Sequence, residues 1–283
     1  MRRADELTPA QKWEAATLAD NFIFCKVMAA NPGFCKELLE LLLGIEIDRI
    51  EHPAAEHSLK IDYGSKGIRF DVYVKDGTGR CFDIEVQTTK RKNIARRSRY
   101  YQSLMDVDAL AAGADYGDLK DGYVIFLCLD DPFGRGLPVY RFTNTCAEDA
   151  SVSLGDGAHK IFYNAAKHDI MPGEALRSFF RFLAGAADDG SALSGRLDAM
   201  VSRAKTNAQW RHQFMTWEQE MRIQVRERAE ELAQERAEEL AAQKAVETAR
   251  KLLDMALASE QIAEATGLPL EQVERLRQES SAV

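Results

Sequence analysis

The chain has 283 residues, 46% of them hydrophobic, enough for one substantial buried core with part of its length left over as an extension. A formal net charge of -8 argues against a protein that coats nucleic acid indiscriminately, because backbone affinity depends on neutralising phosphates. No stretch reaches the roughly 18 uninterrupted apolar residues of a membrane span, and Met1-Arg2-Arg3-Ala4-Asp5-Glu6 has no apolar run behind its charges to act as a signal peptide, so no membrane association and a cytoplasmic location are expected.

Residues 9–43 read as two helices. Thr8-Pro9 supplies a cap and first turn, Asn31-Pro32-Gly33 interrupts the pattern, and the second helix places Phe34, Leu38, Leu41 and Leu42 on one side before ending at Gly44. Apolar and polar residues alternate over 68–74 and again over 81–87, with Lys75-Asp76-Gly77-Thr78-Gly79-Arg80 as the turn, which predicts a hairpin. A helix over about 94–112 carries basic residues and the pair Tyr100-Tyr101. The run 122–129 is almost wholly apolar and rich in β-formers, as expected of a strand buried on both faces in a parallel pairing. Turn residues at 131–136 and 153–157 flank strand-like pieces at 139–142 and 159–163; 174–183 is a short amphipathic helix, and 185–190 loosens the chain. Further on, Glu-Arg-Ala-Glu-Glu-Leu-Ala begins at Glu227 and again at Glu235 with no Gly or Pro nearby, which predicts a long helix. Residues 259–276 read as helix, glycine turn, helix. The expected organisation is a mixed α/β domain over 1–190, a helical spacer or coiled coil over 191–250, and a small helix-turn-helix-like element over 251–283.

Cys25, Cys35, Cys81, Cys128 and Cys146 are odd in number, widely spaced and mostly set among apolar neighbours, which suits reduced core thiols better than a disulfide frame. No pair has zinc spacing, and His52, His57, His159, His168 and His212 form no cluster, so a structural metal is not expected.

The hairpin carries the chemistry. Alternate residues share a face, so Asp71 lies with Arg69 and Tyr73, and Glu85 with Asp83 and Gln87. If Lys75 pairs with Cys81, Asp71 falls opposite Glu85 and Arg69 opposite Gln87, with facing β-carbons about 4.5–5.5 Å apart. Carboxylates that close repel unless a cation lies between them, and their hard oxygens suit magnesium, which would lower the pKa of a bound water. Gln87 points the same way as Glu85 and can orient that water without bringing charge, while the Val86 carbonyl is a further available ligand. Just downstream, Lys90, Arg91, Lys92, Arg96, Arg97 and Arg99 stand without an acid among them, a local positive surface in an acidic chain. Acids on the polar face of a hairpin, or a basic helix face, are each ordinarily just solvated. It is their succession that points to phosphodiester chemistry.

These residues resemble the PD-(D/E)XK nuclease family transposases, also described as recombination-promoting nucleases. The resemblance is carried by Asp20-Asn21-Phe22-Ile23-Phe24-Cys25-Lys26-Val27-Met28, Cys35-Lys36-Glu37-Leu38-Leu39-Glu40, Arg69-Phe70-Asp71-Val72-Tyr73-Val74, Ile84-Glu85-Val86-Gln87, Arg97-Ser98-Arg99-Tyr100-Tyr101-Gln102, Tyr123-Val124-Ile125-Phe126, Asp131-Pro132-Phe133-Gly134 and Gly155-Asp156-Gly157, in that order. It implies a restriction-endonuclease-like mixed sheet flanked by helices and magnesium- or manganese-dependent DNA cleavage linked to recombination or transposition. It also implies Asp71 and Glu85 as metal ligands, with Gln87 in the position of the signature lysine. Lys90 or Lys92 would then substitute for that lysine, Glu37 or Glu40 would complete the site from a helix, and Lys90, Lys92, Arg97 and Arg99 would grip the DNA backbone. The missing lysine also leaves open a second expectation, a catalytically weak or inactive nuclease fold that binds DNA or protein. For the C-terminal piece, Glu271 and Glu274 beside Arg275 and Arg277 match phosphates poorly, so helical packing or homo-oligomerisation is expected there rather than groove binding.

Overall fold

The computed structural model describes residues 7–51, 54–55, 58–59, 68–69, 71–89 and 92–281, and the chain forms two compact units, Met1–Met215 and Thr216–Val283. The first unit opens with three helices where two are expected, α1 (Pro9–Ala15), α2 (Asn21–Ala30) and α3 (Pro32–Leu43). The additional break lies between Ala15 and Asn21 because Asp20 starts a helix of its own, its Oδ1 accepting from the amides of Phe22 and Ile23 at 3.0 and 3.3 Å. Thr8 and Gln11 close a reciprocal capping box on α1. Asn31-Pro32 separates α2 from α3, and Gly44 ends α3 in the left-handed region, with φ 69°.

Among the described residues eight strands follow: β1 (Ala54–Ala55), β2 (Ser58–Leu59), β3 (Ile68–Arg69), β4 (Val72–Lys75), β5 (Cys81–Gln87), β6 (Gly122–Cys128), β7 (Val139–Phe142) and β8 (Ala158–Asn164), with α4 (Ile94–Ala109) between β5 and β6. The main sheet has the order β1-β4-β5-β6-β8-β7, and since β1 is only two residues long, five strands carry it. The β4–β5 hairpin is antiparallel, with Lys75 opposite Cys81 as the turn length predicts, whereas β5, β6 and β8 run parallel and β7 returns antiparallel on β8. All seven residues of β6 are buried, as its apolar run requires of a strand with parallel neighbours on both sides and helices on both faces.

The expected strand over 68–74 does not run on as one piece. The chain bends at Asp71, and β3 pairs with β2 in a separate two-stranded sheet, so the expected pairing of Arg69 with Gln87 is not made. The physical reason lies in Asp71 itself, whose carboxylate accepts a hydrogen bond from the Val86 amide at 3.0 Å where a continuing ladder would offer a carbonyl.

One face of the sheet packs under α4, where Ile94, Tyr101, Leu104 and Met105 meet Tyr73, Cys81, Val124, Phe126, Cys128 and Phe162. Full burial of each large side chain there contributes about 1.5–3 kcal/mol. On the other face Tyr163 stacks on Phe180 of α5 (Glu174–Leu183), and its hydroxyl donates to the Leu42 carbonyl at the end of α3. α6 (Ala192–Thr206) and the start of α7 (Ala208–Asp254) complete this unit, where Phe214 packs against Trp13 and Phe22. The expected long helix thus extends over 47 residues. Cys25, Cys35, Cys81 and Cys128 are buried thiols, and Cys146 is partly exposed.

In the second unit, α8 (Ser259–Thr266) and α9 (Leu270–Ser281) fold onto the end of α7 around Ala249, Ile262, Val273 and Leu276. No helix among the described residues is long and apolar enough to cross a membrane.

Candidate active site

The site forms where β5 passes the bend that precedes β4. Val72 pairs with Ile84, so one residue further along Asp71 stands opposite Glu85. The two acids hold each other's backbone: Glu85 Oε1 accepts from the Asp71 amide at 3.0 Å, and Asp71 Oδ2 accepts from the Val86 amide at 3.0 Å. Asn21, at the first position of α2, donates to Asp71 Oδ1 at 2.7 Å, and the Cys25 thiol one helical turn on lies 3.0 Å from the Asp71 carbonyl. Asp71 and Glu85 are 7% and 3% exposed, so these bonds form in a largely desolvated setting where fixed orientation persists.

A hairpin's polar face ordinarily points to water. Here α4 covers it, and even Asp83, two residues before Glu85 on the same side, is 0% exposed with neither carboxylate oxygen hydrogen-bonded. Burial, reinforced by the charges of Glu85 and Asp71, drives the Asp83 carboxyl well above the usual carboxylate range.

α4 begins at Asn93, which adopts a left-handed conformation (φ 74°) that asparagine tolerates better than most residues, and whose carbonyl accepts from the amides of Arg96 and Arg97. That turn sets the helix over the acids with Arg97 facing inward. Its Nη2 lies 3.2 Å from Glu85 Oε2 and 2.9 Å from the Tyr101 hydroxyl, and its Nη1 donates to Gln87 Oε1 at 2.7 Å. Burial works against the guanidinium charge, but the Tyr101 hydrogen bond and the field of Glu85 and Asp71 outweigh it, and Arg97 is held charged more firmly than in water. Burial and the charge of Glu85 push the Tyr101 hydroxyl up to about 12, so it stays protonated.

Of the residues singled out from sequence, Asp71, Glu85, Gln87 and Arg97 come together. Lys92 and Arg99 are exposed on and just before α4, and Lys90 and Arg91 lie outside the described residues. Glu37 and Glu40 are engaged elsewhere, Glu37 with Arg196 at 2.5 Å and Glu40 with Lys36 at 2.7 Å and the Ile47 amide at 3.0 Å. The residue of the N-terminal helices that reaches the acids is Asn21, whose signal in the sequence is its place directly after the capping Asp20. Asp83 and Tyr101 also belong to this setting; both fall on the same faces as the residues already chosen, two and four positions away.

Among the described residues no three His, Cys, Asp or Glu side chains form a complete metal-binding group. The donor chemistry of Asp71 and Glu85 nevertheless fits a hard divalent ion that takes its remaining ligands from water and a phosphate, since both are carboxylates pre-oriented by buried amides.

A mixed sheet flanked by helices, with two acids meeting beside the start of a parallel crossover, is an α/β fold consistent with the PD-(D/E)XK nucleases. Within it, residues 23–137 match the family described as PD-(D/E)XK nuclease family transposase, which bears out the resemblance read from the sequence. No curated protein and no solved structure matches the chain.

Proposed function

We propose that this protein is a divalent-metal-dependent DNA endonuclease whose site is Asp71, Glu85 and Gln87, with DNA recombination or transposition as its setting. The observation that carries the reading is the reciprocal pairing of Asp71 and Glu85 through each other's backbone amides. Asp71 and Glu85 would hold magnesium or manganese, and such an ion supplies Lewis-acid polarisation of a phosphodiester and a water acidic enough to lose its proton near neutral pH. Gln87 uses one N–H on the Thr89 carbonyl and one lone pair on Arg97, which leaves by its inventory one N–H and one lone pair to orient water or a phosphate oxygen. Lys92 and Arg99 bind the DNA backbone, with Lys90 in the same role. Residues 1–190 hold the nuclease, 191–250 act as a spacer or coiled coil, and 251–283 as a packing or homo-oligomerisation element, all in the cytoplasm.

Nicking of supercoiled DNA in Mg2+ or Mn2+ by the wild type, Asp71→Asn and Glu85→Gln tests this directly. Loss of about 10³-fold or more in each variant, with folding retained, is expected of a metal-ligand pair; equal residual activity in all three removes the assignment. One observation favours a second reading, a nuclease fold that binds DNA without cutting it: a guanidinium already engages Glu85, and no lysine stands at position 87. Salt-dependent DNA binding with no cleavage across several divalent metals would select it.

A further inference from the structure

The sequence reading groups Arg97 with Lys90, Lys92 and Arg99 as a cation for the DNA backbone. Its environment sets it apart. Arg96 and Arg99 are exposed, whereas the Arg97 side chain is 26% exposed. Its guanidinium lies 5.2 Å from the Tyr101 ring centre and 5.5 Å from that of Phe126. It spans Glu85 and Gln87, alternate residues on one strand face and so about 6–7 Å apart along the strand. A planar fork of five donors can bridge that gap; a lysine ammonium, a compact point charge, cannot hold both ends in one geometry.

Two consequences follow for the site. Arginine only donates, so the Gln87 oxygen must face Arg97 and its nitrogen must face away, where it meets the Thr89 carbonyl at 3.0 Å. The amide is thereby fixed to present N–H rather than oxygen on that side, the polarity a phosphate oxygen needs. In addition, a permanent positive charge stands beside Glu85, supplied from a helix rather than from the strand.

We propose that Arg97 is a positioning residue of the carboxylate site, delivering from α4 the fixed positive charge that Gln87 does not bring and setting the polarity of the Gln87 amide, and that it is not a grip on the DNA backbone. The proposal rests on the metal-dependent nuclease reading. It predicts that Arg97 and a bound dication repel each other across Glu85, an effect visible without DNA or turnover.

Calorimetric titration of the full chain with Mn2+ alone reads this. Arg97→Gln should bind Mn2+ about tenfold more tightly than the wild type, because a unit charge a few ångströms from the ion has been removed. Arg97→Lys keeps the charge but not the bridge, so it should bind Mn2+ within about twofold of the wild type while kcat for nicking falls about tenfold or more at nearly unchanged KM. The salt slope of DNA binding should stay at the wild-type value in both, whereas losing a true phosphate contact lowers it by about one. Equal Mn2+ affinity in wild type and Arg97→Gln, together with a reduced salt slope, overturns the proposal and leaves the nuclease reading standing. No Mn2+ binding by either protein defeats the nuclease reading and this proposal together. Should Arg97→Gln not fold, Arg97→Lys decides alone: full kcat overturns the proposal, and selective loss of kcat sustains it.

Discussion

The residues around Asp71 illustrate how little local charge says about role. Six basic side chains follow the acids in sequence, yet among those described only Arg97 turns inward, and Lys92 and Arg99 face solvent. Helical periodicity carries that information: Arg97 is three residues after Ile94 and four before Tyr101, both buried, so it shares the helix face that packs on the sheet. An exposed cation that touches phosphate contributes a counterion-release increment, and one that does not contributes none. Lys92→Ala and Arg99→Ala are therefore each expected to weaken binding to any DNA sequence alike and to lower the slope of log affinity against log salt by about one, measured by fluorescence anisotropy over a salt series. An unchanged slope in either variant removes that residue from the DNA surface. Asp83 shows the converse, an acid that reads as solvated and is sealed beneath α4.

At the scale of elements, the loop after β6 is held by one carboxylate. Asp131 accepts from the amides of Phe133, Gly134 and Gly136 and from the Tyr140 hydroxyl, at 3.1, 2.8, 2.7 and 2.7 Å, tying the loop to β7. Burial raises the carboxyl, but those four bonds outweigh it and hold Asp131 at about 2. A folded-state pKa below the unfolded value means that the stabilisation is complete above about pH 4 and disappears as pH falls towards 2. Asp131→Asn is expected to cost roughly 1–2 kcal/mol near neutral pH, after allowance for solvent screening, and to flatten that acid limb. Urea midpoints of both proteins from neutral pH down to the acid limb measure it, and parallel curves would show that Asp131 is not the group responsible. The same reasoning explains the hairpin. Its turn length sets Lys75 opposite Cys81, a register readable from sequence, because a slip of one residue would turn every side chain over. The separate pairing of β3 with β2 was not readable, because it depends on where the Asp71 carboxylate finds its donor.

Over the whole molecule, the two compact units have cores of different size, and the smaller one rests on few side chains. Ile262 is fully buried among Ala249, Val273 and Leu276, so Ile262→Ala should cost about 2–4 kcal/mol and accelerate amide exchange throughout α8 and α9. Exchange unchanged there would show that this core does not hold the helices. Sequence by itself determined the alternation of the hairpin, its register, the doubly covered β6 and the long helix, because each is written in neighbouring residues or in fixed spacings. Tertiary structure alone decided that Asn21 reaches Asp71 across 50 positions, that Glu37 and Glu40 are occupied away from the acids, and that Arg97 closes over Glu85 and Gln87. The reason is physical: a helix's rotation and its distance from a strand are set by the sum of its packing contacts, and no local pattern encodes which distant backbone groups those contacts will bring within hydrogen-bond reach.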